Sequence, residues 1–136
     1  MSEAGKPEKE RYVRALPPES RGDAPGRNRL KGRKILVVGG GQRVLDATTD
    51  PVGNGRAMSL LFAREGASVI VADMNLASAE ETVTKITNDG GKAQALQADI
   101  SKPADIALMV ADVHAKLGGL DGLVLNVGIG VGPLGL

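Results

Sequence analysis

The sequence predicts an α/β fold, a doubly wound parallel sheet with strand order 3-2-1-4, on three observations. Short apolar runs alternate along the chain with amphipathic stretches of helical period, the pattern of strands joined by crossover helices. The first run, Ile35 to Val38, is branched and apolar throughout, as a strand buried on both faces of a parallel sheet must be. It empties into Gly39, Gly40 and Gly41, the usual device for bringing backbone N–H groups and a helix N-terminus against a phosphate. Right-handed crossovers then put a ligand beyond the carboxyl ends of the strands, where the first and fourth strands part.

Each element has its own signal. Lys34 to Val38 is the first strand, but its helix follows late: Gly53-Asn54-Gly55 precedes the amphipathic run Arg56 to Glu65, and residues 42 to 52 form an inserted loop between the two glycine groups. Gly66 ends that helix in the manner of a C-cap glycine. Ser68 to Ala72 is the second strand, closed by Asp73. Asn75 or Ser78 caps the second helix, Ser78 having capping-box spacing to Glu81, and Ala79, Val83 and Ile86 form its buried stripe. Gly90-Gly91 ends it, and Lys92 to Ala98 alternates weakly as a third strand. After Asp99-Ile100 a third helix is expected, with Ser101 at its cap and Pro103 in its first turn; Ile106, Met109, Val110, Val113 and Leu117 share one of its faces. Gly118-Gly119 breaks this helix, and Gly122 to Leu125 is a fourth strand that ends at Asn126, before a glycine-rich stretch running to Leu136.

Composition narrows the function. A chain of 136 residues, 42% hydrophobic and 24% charged, fits one globular domain. Its only aromatic residues are Tyr12 and Phe62, so the core must be aliphatic, which suits helices on a parallel sheet. A net charge of +1 gives no electrostatic case for nucleic acid or a membrane surface. No apolar run approaches the roughly 18 to 20 residues of a membrane span. The absence of cysteine removes disulfide frameworks and thiolate metal sites and fits a cytoplasmic location; no metal-ligand cluster is seen. Residues 1 to 29 mix Lys, Arg, Glu, Pro, Gly and Ser without an apolar segment and are expected to be a disordered tail, with residues 30 to 136 as the folded domain. A docking arm using Arg11, Arg14, Arg27 and Arg29 is the functional alternative for that tail.

The residues at the strand ends carry the chemistry. Gly53-x-Gly55 lacks the third glycine of GxGxxG, so on glycines alone a strand-to-helix turn needing positive φ is an equal reading. Asp73 adds a second signal, lying 18 positions after Gly55, near the offset at which a carboxylate meets an adenosine ribose. There it accepts hydrogen bonds from both ribose hydroxyls and repels a 2′-phosphate; the bland alternative is a solvated acid near a helix N-terminus.

At this point a resemblance enters. Leu36-Val37-Val38-Gly39-Gly40-Gly41 with Gly53-Asn54-Gly55-Arg56-Ala57 resembles the TGxxxGxG segment of the short-chain dehydrogenase/reductase family, Val38 standing for the threonine. Asp99-Ile100 resembles the Asp-apolar pair that the family places beside the adenine, and Asp121 to Ile129 resembles its fourth strand and NNAG motif. The resemblance covers roughly residues 30 to 130. It implies a Rossmann-like sheet, incomplete at its C-terminal side, and the NAD(P)-binding half of an oxidoreductase that moves a hydride between nicotinamide and a carbonyl or alcohol. It also implies cofactor contacts at Gly39, Gly41, Gly53, Asn54, Gly55, Asp73, Asp99, Ile100, Asn126 and Gly128, with NAD preferred over NADP because of Asp73.

Three departures qualify this. Thirteen residues, 40 to 52, stand where the family has three, an insertion that resembles a minority subtype and serves either as a lid or as a surface excursion. Leu125 replaces the first Asn of NNAG, leaving Asn126 and Gly128. The family's acid–base group is the Tyr of a YxxxK pair with a Ser upstream, all beyond the NNAG strand; here the only tyrosine is Tyr12, followed four positions later by Leu16. No catalytic residue is therefore assigned, and the chain looks like a truncated subunit whose homo-oligomer contacts would belong to the full-length form. Lys34, Arg43 and Arg56 are possible phosphate contacts, with Arg56 expected on the helix surface, and His114 is an ordinary, partly exposed histidine. Two other readings stay open, a non-catalytic nucleotide-binding module and an S-adenosylmethionine methyltransferase, against which Asn126-Val127-Gly128 argues.

Overall fold

The computed structural model describes residues 17–42 and 52–128. A short helix α1 (Pro18–Arg21) is followed by β1 (Lys34–Val38), α2 (Asn54–Arg64), β2 (Ser68–Asp73), α3 (Leu76–Asn88), β3 (Lys92–Gln97), α4 (Pro103–Leu117) and β4 (Gly122–Leu125). The four strands form one parallel sheet in the order β3-β2-β1-β4, as the sequence predicts. Val37 lies opposite Val71 on one side and Val124 on the other, so β1 is the central strand from which the chain winds both ways.

Alternation along β1 and β2 builds two cores. Ile35, Val37, Val69 and Val71 face α2 and α3 and pack with Ala63, Ala67, Ala79 and Ile86. Leu36, Val38, Ile70 and Ala72 face the other way, onto Met109 and Val113 of α4. Successive strand side chains point to opposite faces, so an unbroken apolar run such as Ile35 to Val38 serves both layers. Among the described residues two helices cover the first face and one the second. Of the predicted α4 face, Met109 and Val113 are accordingly buried, whereas Ile106 and Val110 are exposed, because no element among the described residues lies over them.

Several boundaries differ from the sequence expectation. α2 starts two residues early, at Asn54, with Gly53 as its N-cap. Of the two caps the sequence offers for α3, Asn75 takes the position, its side chain accepting the Ser78 N–H. Thr82 takes the buried place in the α3 stripe and Val83 is only half-buried. Lys102, not Ser101, is the N-cap of α4, since the Ser101 hydroxyl donates to Asp99 at 2.6 Å instead.

Within the stretch up to residue 29, the described part lies against the end of α2. The Glu65 carboxylate, 5% exposed, accepts the N–H groups of Arg27 and Arg29 at 3.0 and 3.1 Å and the Arg29 guanidinium at 2.9 Å. The Arg29 guanidinium first, with these N–H groups, lowers the Glu65 carboxyl from 4.5 to about 2. Leu30 N–H completes the latch by donating to Glu65 O at 2.8 Å. No helix among the described residues is long and apolar enough to cross a membrane.

Candidate nucleotide site at the carboxyl edge of the sheet

The carboxyl ends of all four strands emerge on one edge, and close packing of backbone defines the site there. Gly39 has φ +83°, and a Cβ on it would lie 2.0 Å from Asn126 O. A Cβ on Gly55 would lie 1.9 Å from Gly39 O and 2.8 Å from Asn126 Nδ2. The end of β1, the start of α2 and the end of β4 thus meet at a distance only glycine permits. Asn126 ties the junction, its N–H donating to Val38 O at 2.8 Å and its side-chain amide to Gly39 O at 3.3 Å.

The last glycine of the run, Gly41, leans towards β2 and α3. Its N–H donates to Asp73 Oδ2 at 3.0 Å, while Asn75 N–H donates to Asp73 Oδ1 at 2.9 Å, so both oxygens of this half-buried carboxylate are oriented by backbone. A Cβ on Gly41 would come within 2.6 Å of Ser78 Oγ and 2.8 Å of Asp73 Oδ2. Ser78 Oγ accepts Gln42 N–H at 2.6 Å and donates to Gln42 O at 2.9 Å, and Gln42 Oε1 accepts Gly53 N–H at 2.9 Å. Residues 42 and 53, the flanks of the insertion, are joined by that last bond. Arg43 and residues 44–51 lie outside the described residues.

These bonds use the N–H groups of residues 39 to 42 and of Gly53 within the protein. The first turn of α2 differs: no side chain caps it, and its first intrahelical bond runs from Ala57 N–H to Gly53 O. Helical geometry leaves the preceding N–H groups, those of Asn54, Gly55 and Arg56, without intrahelical acceptors at the positive end of the helix dipole. A Gly-lined cradle with such donors fits a phosphate.

Of the residues named from sequence, Gly39, Gly41, Gly53, Asn54, Gly55, Asp73 and Asn126 are brought together. Asp99 lies further along the same edge, next to Ala98, whose N–H donates to Asp73 O at 3.1 Å, and it lines a cavity of about 460 Å³ with Met74, Gln97, Lys102, Asp105 and Leu108. The Ser101 hydroxyl, then its N–H, with Lys102 nearby, hold the Asp99 carboxyl below the usual carboxylate range. Ile100 does not line this cavity; it packs against the core under α4. Gly128 has nothing within 4 Å of its Cβ position. Lys34 is corrected: it opens β1, at the opposite edge of the sheet from the glycines, and its N–H bonds Asp121.

Arg56 is the larger correction. It is 4% exposed, not on the helix surface, and donates through Nε to Thr82 Oγ1 at 2.9 Å, through Nη2 to Ser78 O at 3.3 Å and through Nη1 to Glu81 at 3.3 Å. Thr82 and Gln42 are the residues that sequence reasoning missed. Thr82, three positions after the buried Ala79, had a signal: a hydroxyl on the core side of a helix needs a partner. Gln42 had none. His114 is exposed beside an apolar groove of about 450 Å³ between α4 and β4. Among the described residues no group of three His, Cys, Asp or Glu side chains is placed to hold a metal.

The profile of the family described as short chain dehydrogenase matches residues 44–135. The chain is 34% identical over 102 residues to 2-(S)-hydroxypropyl-CoM dehydrogenase 3 of Xanthobacter autotrophicus, covering 75% of this chain and 36% of that protein. It is 34% identical over 105 residues to 7alpha-hydroxysteroid dehydrogenase of Escherichia coli, covering 77% and 37%. The crystal structure of a short-chain dehydrogenase/reductase from Burkholderia xenovorans superposes with TM-score 0.68 at 38% identity, over 78% of this chain and 41% of that one. A Rossmann-like sheet with a glycine cradle at its switch point defines the class, a dinucleotide-binding α/β fold. Within that class the chain belongs to the short-chain dehydrogenase/reductase family, and it spans little more than a third of the length of the curated relatives it matches.

Proposed function

We propose that this chain is the nicotinamide-dinucleotide-binding portion of an NAD(P)-dependent oxidoreductase that moves a hydride between the cofactor and a carbonyl or alcohol, with NAD as the preferred cofactor. The observation that carries it is the meeting of Gly39, Gly55 and Asn126 at a spacing that a single Cβ would fill. Asn54 and Gly55 N–H would hold the pyrophosphate, Asp73 the adenosine ribose, Asp99 and Ile100 would lie on the adenine side, and Asn126 and Gly128 on the nicotinamide side. The bound cofactor supplies the hydride chemistry; this chain's residues bind and orient it. The 136 residues hold no YxxxK pair, so no residue is assigned to proton transfer, and the chain by itself is expected to show no turnover. A cytoplasmic location goes with this reading, given a chain without cysteine. A homo-oligomer is proposed only for a full-length form.

The test is calorimetric titration of the chain with NAD, NADP and S-adenosylmethionine, beside an assay of NAD reduction over a panel of alcohols. Binding of NAD, weaker binding of NADP and no turnover are expected. Binding of S-adenosylmethionine in preference to both dinucleotides would overturn the reading.

A further inference from the structure

The peptide joining Gly40 to Gly41 is held on both sides. Its carbonyl accepts the Thr82 hydroxyl at 2.9 Å, and its N–H donates to Asp73 Oδ2 at 3.0 Å. A peptide between two glycines has the least conformational preference of its own, so its partners must select its orientation. Turned over, it would aim the Gly40 carbonyl at the Asp73 carboxylate, acceptor against acceptor.

Thr82 supplies that selection, and Arg56 directs it. The Thr82 side chain is fully buried and has one proton to give. A guanidinium is all donor, so the hydroxyl must accept from Arg56 Nε at 2.9 Å, which leaves its proton for a carbonyl. Gly40 O at 2.9 Å is nearer than Ser78 O at 3.3 Å. Arg56 is itself oriented by Ser78 O and Glu81. A chain of donors therefore runs from Arg56 through Thr82 and the Gly40–Gly41 peptide to the Asp73 carboxylate.

We propose that Thr82, directed by Arg56, is a positioning residue for dinucleotide selectivity: through the Gly40–Gly41 peptide it holds the Asp73 carboxylate in the orientation that meets an adenosine ribose. This rests on the NAD reading of the site. Neither side chain contacts the cofactor; both act through the glycine turn.

The experiment compares the full chain with Thr82→Val, which keeps the volume, and Thr82→Ser, which keeps the hydroxyl. Two quantities are read, the exchange rate of the Gly41 amide by NMR without ligand and the affinities for NAD and NADP by calorimetry. In Thr82→Val the Gly41 amide should exchange about tenfold faster and the NAD-over-NADP ratio should fall by about tenfold, the effect of one lost hydrogen bond. Thr82→Ser should restore both. If Thr82→Val does not fold, Arg56→Lys, which keeps the charge and removes Nε, carries the same expectation. A variant that lowers the unfolding temperature but leaves the Gly41 exchange and the cofactor ratio unchanged would overturn the proposal. If the unmodified chain binds neither dinucleotide, the NAD reading and the selectivity role fall together, and the Gly41 exchange alone decides whether Thr82 sets the peptide.

Discussion

The Cβ position of Gly55 lies 1.9 Å from the carbonyl oxygen of Gly39, across the junction of α2 with β1. The obstructing atom is backbone at the end of a central strand, so it has little freedom to give way. Gly55→Ala should therefore destabilise the domain by about 1 to 3 kcal/mol, in the range of overpacked cores, and Gly55→Val by more. Denaturant unfolding checks this. An alanine variant as stable as the parent would show that the junction relaxes, and only then would a loss of nucleotide affinity report on the cradle alone.

Asp73 holds the glycine turn through Gly41 N–H, and under the proposed NAD reading it would also repel a 2′-phosphate; two substitutions separate these roles. Asp73→Asn keeps an acceptor for Gly41 N–H and removes the charge. It should narrow the NAD preference by about tenfold, a like-charge repulsion of about 1.4 kcal/mol after solvent screening. Asp73→Ala also frees Gly41 and should weaken both cofactors. Equal affinity of the unmodified chain for NAD and NADP in calorimetry would refute the assignment.

The Glu65 latch sets an acid dependence of stability. Its folded-state value of about 2 lies below the usual 4.5, so the unfolded chain takes up the proton first. The contribution is present in full above the unfolded value and is lost as the pH falls from there towards about 2. In acid unfolding followed by circular dichroism, Glu65→Gln should be less stable than the parent at neutral pH. The gap should close over that window. A gap that is constant down to pH 2 would remove the carboxylate from the account.

Among the described residues β4 is an edge strand, and its Leu123 and Leu125 are 54% and 66% exposed beside the apolar groove under α4. An apolar edge is a template for pairing with another chain. The chain should self-associate at high concentration, and Leu123→Lys with Leu125→Lys should reduce this in sedimentation velocity. A parent that sediments as a monomer throughout would contradict it.

The sequence by itself determined the layer order and the edge on which the site lies. Strand and helix periods are local, and the crossover rule with a doubly wound pattern points to the order 3-2-1-4, which puts Gly39, Gly41, Gly55, Asp73 and Asn126 on one edge of the sheet. The tertiary structure alone decided which partner satisfies each polar group. Arg56 and Thr82 are 26 positions apart and Thr82 and Gly40 are 42 apart, and nothing in the neighbouring residues of any of them specifies the others. An arginine in an amphipathic helix carries the pattern of a surface residue. It is buried here because the packing of α2 against α3 brings the Thr82 hydroxyl, the Ser78 carbonyl and the Glu81 carboxylate within reach of its guanidinium, replacing the water it gives up.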